Sequence, residues 1–203
     1  MGDQINRPLL RMADAFDDLA GRMISQTQDV DLYLFATVCS TISPIFLILG
    51  VAFSYMQKEY SDKVDHLIKA SKTVPSIHAM IDQEIESKTV RHGGNTRSLL
   101  RVIRGLDVTR LFCENLLTQT NISSTNAAID AYEKVFSEHH AELLRSLVKE
   151  AMKTMPSRSR ITSRLNEDDA STRVLYQRIV TSTHVIILYV QETFHSRNLG
   201  IDW

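Results

Sequence analysis

The chain has 203 residues, 43% of them hydrophobic and 23% charged, which suffices for one domain with a sizeable core and excludes a disordered chain. Its 23 Lys and Arg stand against 24 Asp and Glu, a formal net charge of −1, so the global basicity typical of nucleic-acid binding is absent and any anion site must be local. Cys39 and Cys113 lie in apolar surroundings with no CxxC pair, which excludes a disulfide framework and points to a reducing compartment, most simply the cytosol.

Residues 1 to 20 contain Asp3, Asp14, Asp17 and Asp18 and no early apolar stretch, so no secretory signal is expected and the sequon at Asn121 is expected to stay unused. Leu9, Met12, Ala13, Phe16, Leu19, Ala20 and Met23 recur at helical spacing and predict an amphipathic first helix over 8–24 with a polar end, Ser25-Gln26-Thr27-Gln28-Asp29. Leu32 to Met56 then runs 25 residues without a charge, long enough to cross a bilayer. Thr37, Ser40, Thr41 and Pro44 form a weakly polar strip in it, Ser43-Pro44 interrupts the helix, and the flanks carry little topological signal. The run therefore reads as the buried central helix of an all-helical core, with a membrane span as the rival.

The same helix is expected to continue through Gln57 to Ile68, where Glu59, Lys63 and His66 (i, i+4, i+7) share one stripe on a polar cluster capping the oily run. Thr73-Val74-Pro75-Ser76 breaks the chain. Ile77, Met80, Ile81 and Ile85 mark a short amphipathic helix, and Asn95-Thr96 after Gly93-Gly94 is read as the cap of the next. That helix, to about Thr118, sets Arg97, Arg101 and Arg104 within roughly 60° of one another, with Leu99, Val102, Ile103 and Leu106 opposite. Three guanidiniums on one face repel unless carboxylates or a bound anion sit above them, and the planar fork suits phosphate. The alternatives are a solvated face or an ion-pair ladder with Asp107 or a neighbouring helix.

A helix near Ala127 to Val135 follows. Phe136 to His140 is expected to open another, with Leu143, Leu144, Leu147 and Met152 inward. His139-His140 has no HExxH and no third ligand at helical spacing, so no metal is implied, and at most one of the pair is expected to share a site with the arginines. Ser157 to Arg160 with Arg164 is a small basic segment read as a solvated loop, with a membrane-surface contact as the alternative, and Asp168 to His195 is the last helix, burying Leu175, Ile179, Ile186, Val190 and Phe194.

Taken together, Ser43-Pro44-Ile45-Phe46, the Glu59/Lys63 pair, Thr96-Arg97-Ser98-Leu99-Leu100-Arg101 with Arg104-Gly105-Leu106-Asp107, His139-His140 and the terminal Gly200-Ile201-Asp202-Trp203 resemble the glycolipid transfer protein family over nearly the whole chain, and most of all its ceramide-1-phosphate branch of the plant accelerated-cell-death type. The resemblance implies one all-α domain over 1–203, a two-layer helical sandwich that takes sphingolipid chains into an internal pocket and leaves the head group at a polar surface site. It assigns the ceramide amide and hydroxyl to Glu59, the phosphate to Lys63, Arg97 and Arg101, and the amide carbonyl to His140. The family's usual Asp is Glu59 here, the Gly and aromatic that usually follow its histidine are Ala141-Glu142, and its membrane-docking tryptophan has no counterpart apart from the sole Trp203. The implied partners are ceramide-1-phosphate or a related phosphosphingolipid and a transient, peripheral membrane surface in the cytoplasm, with no nucleic acid, cofactor or catalysis. The rivals are a lipid sensor or helical adaptor of the same fold that does not transfer, and a phosphoesterase using Glu59 and His140.

Overall fold

The computed structural model describes residues 7–25, 29–91 and 93–203; Asp3 and the expected polar end at Gln26-Thr27-Gln28 lie outside them. Helices α1 (Pro8–Ser25), α2 (Leu32–Ser40), α3 (Ser43–Leu49), α4 (Ser54–Ala70), α5 (Ile77–Glu86), α6 (Asn95–Thr118), α7 (Ser124–Phe136), α8 (Glu142–Lys153), α9 (Arg158–Arg164) and α10 (Asp169–His195) stack as a two-layer sandwich. Among the described residues there is no strand, only an isolated bridge between Asp31 and Ser76. α6 runs through the middle against α4, α7 and α10, while α1 packs on α10 and α2 on α4.

The apolar pattern of α1 holds residue for residue, since the seven positions predicted to face inward are its buried set. The uncharged run does not remain one helix. Thr41 caps α2, Pro44 sits in the first turn of α3, and Gly50, at φ +122°, turns the chain into a 3-10 turn at Val51–Phe53 before α4 starts afresh. That backbone region is open only to glycine, which is why the expected continuous helix ends there. α2 buries Leu32, Phe35, Ala36, Val38 and Cys39, whereas α3 has no fully buried residue. Only a third of Leu32–Leu49 is buried, so core burial accounts for α2 and something else must keep α3 apolar.

Five further local readings are corrected. Asn95 and Thr96 do not cap α6: they are its first two residues, and their N–H groups donate to the carboxylate of Glu84 on α5, at 2.6 Å and 3.0 Å. Glu84 is accordingly buried while Ile85 is exposed, the reverse of what hydropathy predicts, because orphan N–H groups at a helix start and their positive dipole end favour a carboxylate. Phe136 closes α7, His139 and His140 sit in the turn after it, and Leu143 and Leu147 on α8 point out. The basic segment is helical, not a loop: Ser157 caps α9, Arg158 donates to the α6 C-terminal carbonyl of Leu116 at 2.5 Å and Arg164 to Ile48 O at 2.7 Å.

The buried apolar residues form two clusters. The larger joins α1, α2, α4, α5, α6 and α10, and the smaller gathers Phe53, Ala128, Tyr132, Val148 and Met152 beneath α7 and α8. Phe46, Leu49, Phe112 and Met155 border both.

Candidate functional site

A cavity of about 470 Å³ separates the two clusters, within the range of small-molecule pockets. α3 supplies one wall through Ile45, Phe46 and Leu49, opposite Phe112 on α6 and Val148 and Met152 on α8. This explains part of the composition of α3: Ile45, Phe46 and Leu49 face a cavity and stay apolar to keep it dry, while Leu47 points outward.

One end of the cavity is polar. Glu59 and Lys63 from α4, Arg101 and Arg104 from α6, and His139 and His140 from the turn after α7 all line it. Lys63 Nζ lies 4.0 Å from Glu59 Oε2, with the carboxylate about half exposed, so the pair is solvent-screened and adds little to stability. Arg97 lies one turn back along α6, outside the lining, though its charge still reaches Arg104. His66 keeps its place on the same face of α4 but lies outside the lining, meeting Ser98 Oγ on α6 at 3.3 Å. Asp107 pairs with Arg110 at 2.8 Å and not with the arginine stripe. The ladder reading of the stripe therefore finds no support there.

Arg104 is held in place by the end of the chain, donating through Nη2 to Ile201 O at 2.5 Å and Trp203 O at 3.2 Å. Burial lowers its pKa, helped by Arg101 and Arg97 and opposed by Asp202, yet a guanidinium keeps its proton throughout the physiological range. Trp203 lies under the Arg91 guanidinium, 5.8 Å from the ring centroid, and packs on Phe194.

His140 is half-buried. Its ring stacks on Phe136 with centroids 4.6 Å apart and planes 17° apart, and its Nδ1 is 2.8 Å from Tyr132 Oη. Burial, then the charges of His139, Arg101 and Arg104, holds the imidazole below its ordinary pKa, so it is neutral near pH 7. His139 is more exposed, and its pKa is lowered by partial burial and by Arg104. Both histidines thus reach the cavity mouth, where at most one was expected.

Of the five residues assigned from sequence, Glu59, Lys63, Arg101 and His140 converge on one rim, and Arg97 stands a turn away. Arg104, Tyr132 and Phe136 were not assigned. A signal existed for each: Arg104 completes the arginine stripe, and Tyr132, Phe136 and His140 are spaced i, i+4, i+8.

The Glycolipid transfer protein (GLTP) family matches residues 30–167. Over 202 residues, 98% of each chain, the sequence is 35% identical to Accelerated cell death 11 of Arabidopsis thaliana, and it is 27% identical to the Ceramide-1-phosphate transfer protein of Danio rerio over 78% of this chain and 83% of that one. The fold superposes with TM-score 0.92 on a crystal structure of a mutant of Arabidopsis ACD11 complexed with C12 ceramide-1-phosphate, at 35% identity and covering 97% of this chain and 98% of that one. With a match of the family over residues 30–167, 35% identity to a relative over 98% of each chain, and an apolar cavity with a cationic rim on this helix order, the chain belongs to the glycolipid transfer protein family.

Proposed function

We propose that this protein binds ceramide-1-phosphate, or a closely related phosphosphingolipid, and carries it between membranes, the whole of residues 1–203 acting as one domain. The carrying observation is the rim: three cations and one carboxylate at the mouth of a cavity that divides the apolar core in two. Lys63 and Arg101, with Arg104 beside them and Arg97 adding long-range charge, balance a phosphomonoester of about −1.5 to −2. Glu59 accepts from the ceramide amide N–H and hydroxyl, and the neutral His140 donates to the amide carbonyl.

A ceramide with about thirty methylenes costs on the order of 25 kcal/mol to expose to water, at about 0.8 kcal/mol each, so unassisted transfer is slow and a carrier must offer a dry cavity. Leu47, Val51, Tyr55, Leu143 and Leu147 are 60–88% exposed, on the elements that wall the cavity. We assign them the contact with the membrane, in place of the family's tryptophan. Transfer makes and breaks no bond, and we place the protein in the cytoplasm, peripheral to membranes.

The test is fluorescent ceramide-1-phosphate transfer between vesicles, with native mass spectrometry of the loaded protein. The expected result is a one-to-one complex and transfer that neutral glycosphingolipids do not show. Binding without transfer supports the sensor reading, and release of phosphate from bound lipid supports a phosphoesterase.

A further inference from the structure

Tyr132 belongs to the smaller core cluster and is buried, yet its hydroxyl makes one hydrogen bond among the described residues, to Nδ1 of His140 at 2.8 Å. A hydrogen bond between a phenol and a ring nitrogen can run either way, and the direction decides what the imidazole offers on its other side. The Tyr132 hydroxyl has one proton and makes no second hydrogen bond among the described residues. Were Nδ1 to donate, that proton would be buried unpaired, which costs more than leaving a hydroxyl lone pair unfilled. Burial also raises the Tyr132 pKa, so the phenol keeps its proton. The O–H therefore donates and Nδ1 accepts.

A neutral imidazole carries a single N–H, so with Nδ1 accepting the proton stands on Nε2. Nε2 makes no hydrogen bond to any described residue, His140 lines the cavity, and Phe136 stacked on the ring fixes its plane. We propose that Tyr132 is a positioning residue which holds His140 in the Nε2–H tautomer, so that the ring presents one fixed donor to the cavity and selects a ligand offering a carbonyl oxygen there. The inference rests on the sphingolipid reading for the identity of that carbonyl, an acyl amide, but the tautomer belongs to the protein alone.

The experiment therefore has two arms. In the first, the lipid-free protein labelled with ¹⁵N-histidine is examined by NMR: His140 is expected to show a protonated Nε2 and an unprotonated Nδ1, and Tyr132→Phe to move Nδ1 from its hydrogen-bonded position. A protonated Nδ1 in the unsubstituted protein overturns the proposal whatever lipid is bound. In the second, binding of ceramide-1-phosphate is measured for Tyr132→Phe, His140→Ala and the double variant. Tyr132→Phe is expected to weaken binding about three- to tenfold, the scale of one neutral hydrogen bond, and to add nothing in the His140→Ala background. An equal loss with and without His140 shows that Tyr132 acts through packing and overturns it. If the unsubstituted protein binds no ceramide-1-phosphate while the tautomer is as expected, the sphingolipid reading fails and the assignment of Tyr132 stands.

Discussion

α6 crosses α4 where Gly105 meets the ring of Tyr60, and this contact sets the spacing of the rim. A Cβ at Gly105 would stand 2.7 Å from Tyr60 Cδ2 and Cε2, about 1 Å inside the ~3.5–4.0 Å of an ordinary carbon contact. The ring borders the cavity, but its hydroxyl, donating to Cys39 O at 3.1 Å, tethers it against swinging aside. Gly105→Ala must then part α4, which carries Glu59 and Lys63, from α6, which carries Arg101 and Arg104. Overpacking of this kind costs about 1–3 kcal/mol, and exchanging a mid-helix glycine for alanine returns about 0.5–1 kcal/mol. The balance is a loss of up to about 2.5 kcal/mol, or a Tm lower by up to about 8 °C at this chain length. Gly21 on α1 is exposed, with nothing within 4 Å of a built Cβ, so Gly21→Ala is the control and should raise Tm by a few degrees. Differential scanning calorimetry of both variants, with ceramide-1-phosphate binding, tests the point: Gly105→Ala should lose stability and affinity together. If it gains stability as Gly21→Ala does and binds lipid normally, the α4–α6 spacing does not govern the site.

Arg101→Ala removes charge-assisted contacts of about 1.5–3 kcal/mol and should weaken ceramide-1-phosphate binding about ten- to a hundredfold with unchanged circular dichroism, whereas Arg97→Ala, outside the lining, should cost less; equal losses in titration would place Arg97 on the phosphate too. Glu59→Asp should preserve or raise transfer and Glu59→Ala weaken binding by about 1–3 kcal/mol through an unpaired amide donor, with phosphate preference kept in both; the opposite order in a vesicle assay removes Glu59 from the amide. Glu84→Ala strips the carboxylate from the first two N–H groups of α6 and should destabilise by roughly 1.5–3 kcal/mol in urea unfolding, with exchange protection lost first at that helix end. His140 is held below the ~6.5 of an unfolded-chain histidine, so the unfolded chain takes up the proton more readily; its contribution is whole above that pH and fades as pH falls from there toward the folded value. Urea unfolding at pH 7.5 and 5.5 should show a drop that shrinks in His140→Asn, and an unchanged drop would assign it elsewhere.

Periodicity alone fixed what depends on local repeat. The buried face of α1, the extent of α10 and the inward face of α6 followed from apolar spacing, because a helix packed on a core must bury a stripe at 3.6 residues per turn. The arginine stripe and the Glu59/Lys63 pair were legible for the same reason. Hydropathy could not tell a residue facing packed protein from one facing a cavity or solvent, since all three can be apolar. That is why Leu143 and Leu147 were expected inward, and why the uncharged run read as one core helix when α3 in fact walls the cavity. Nor could it see that Glu84, eleven residues before Asn95, is buried because a helix start needs an acceptor. The meeting of Tyr132 with His140, of Tyr60 with Gly105 and of Arg104 with the Ile201 carbonyl was settled by tertiary structure, because each joins groups whose chemistry is ordinary until packing removes water and fixes their separation.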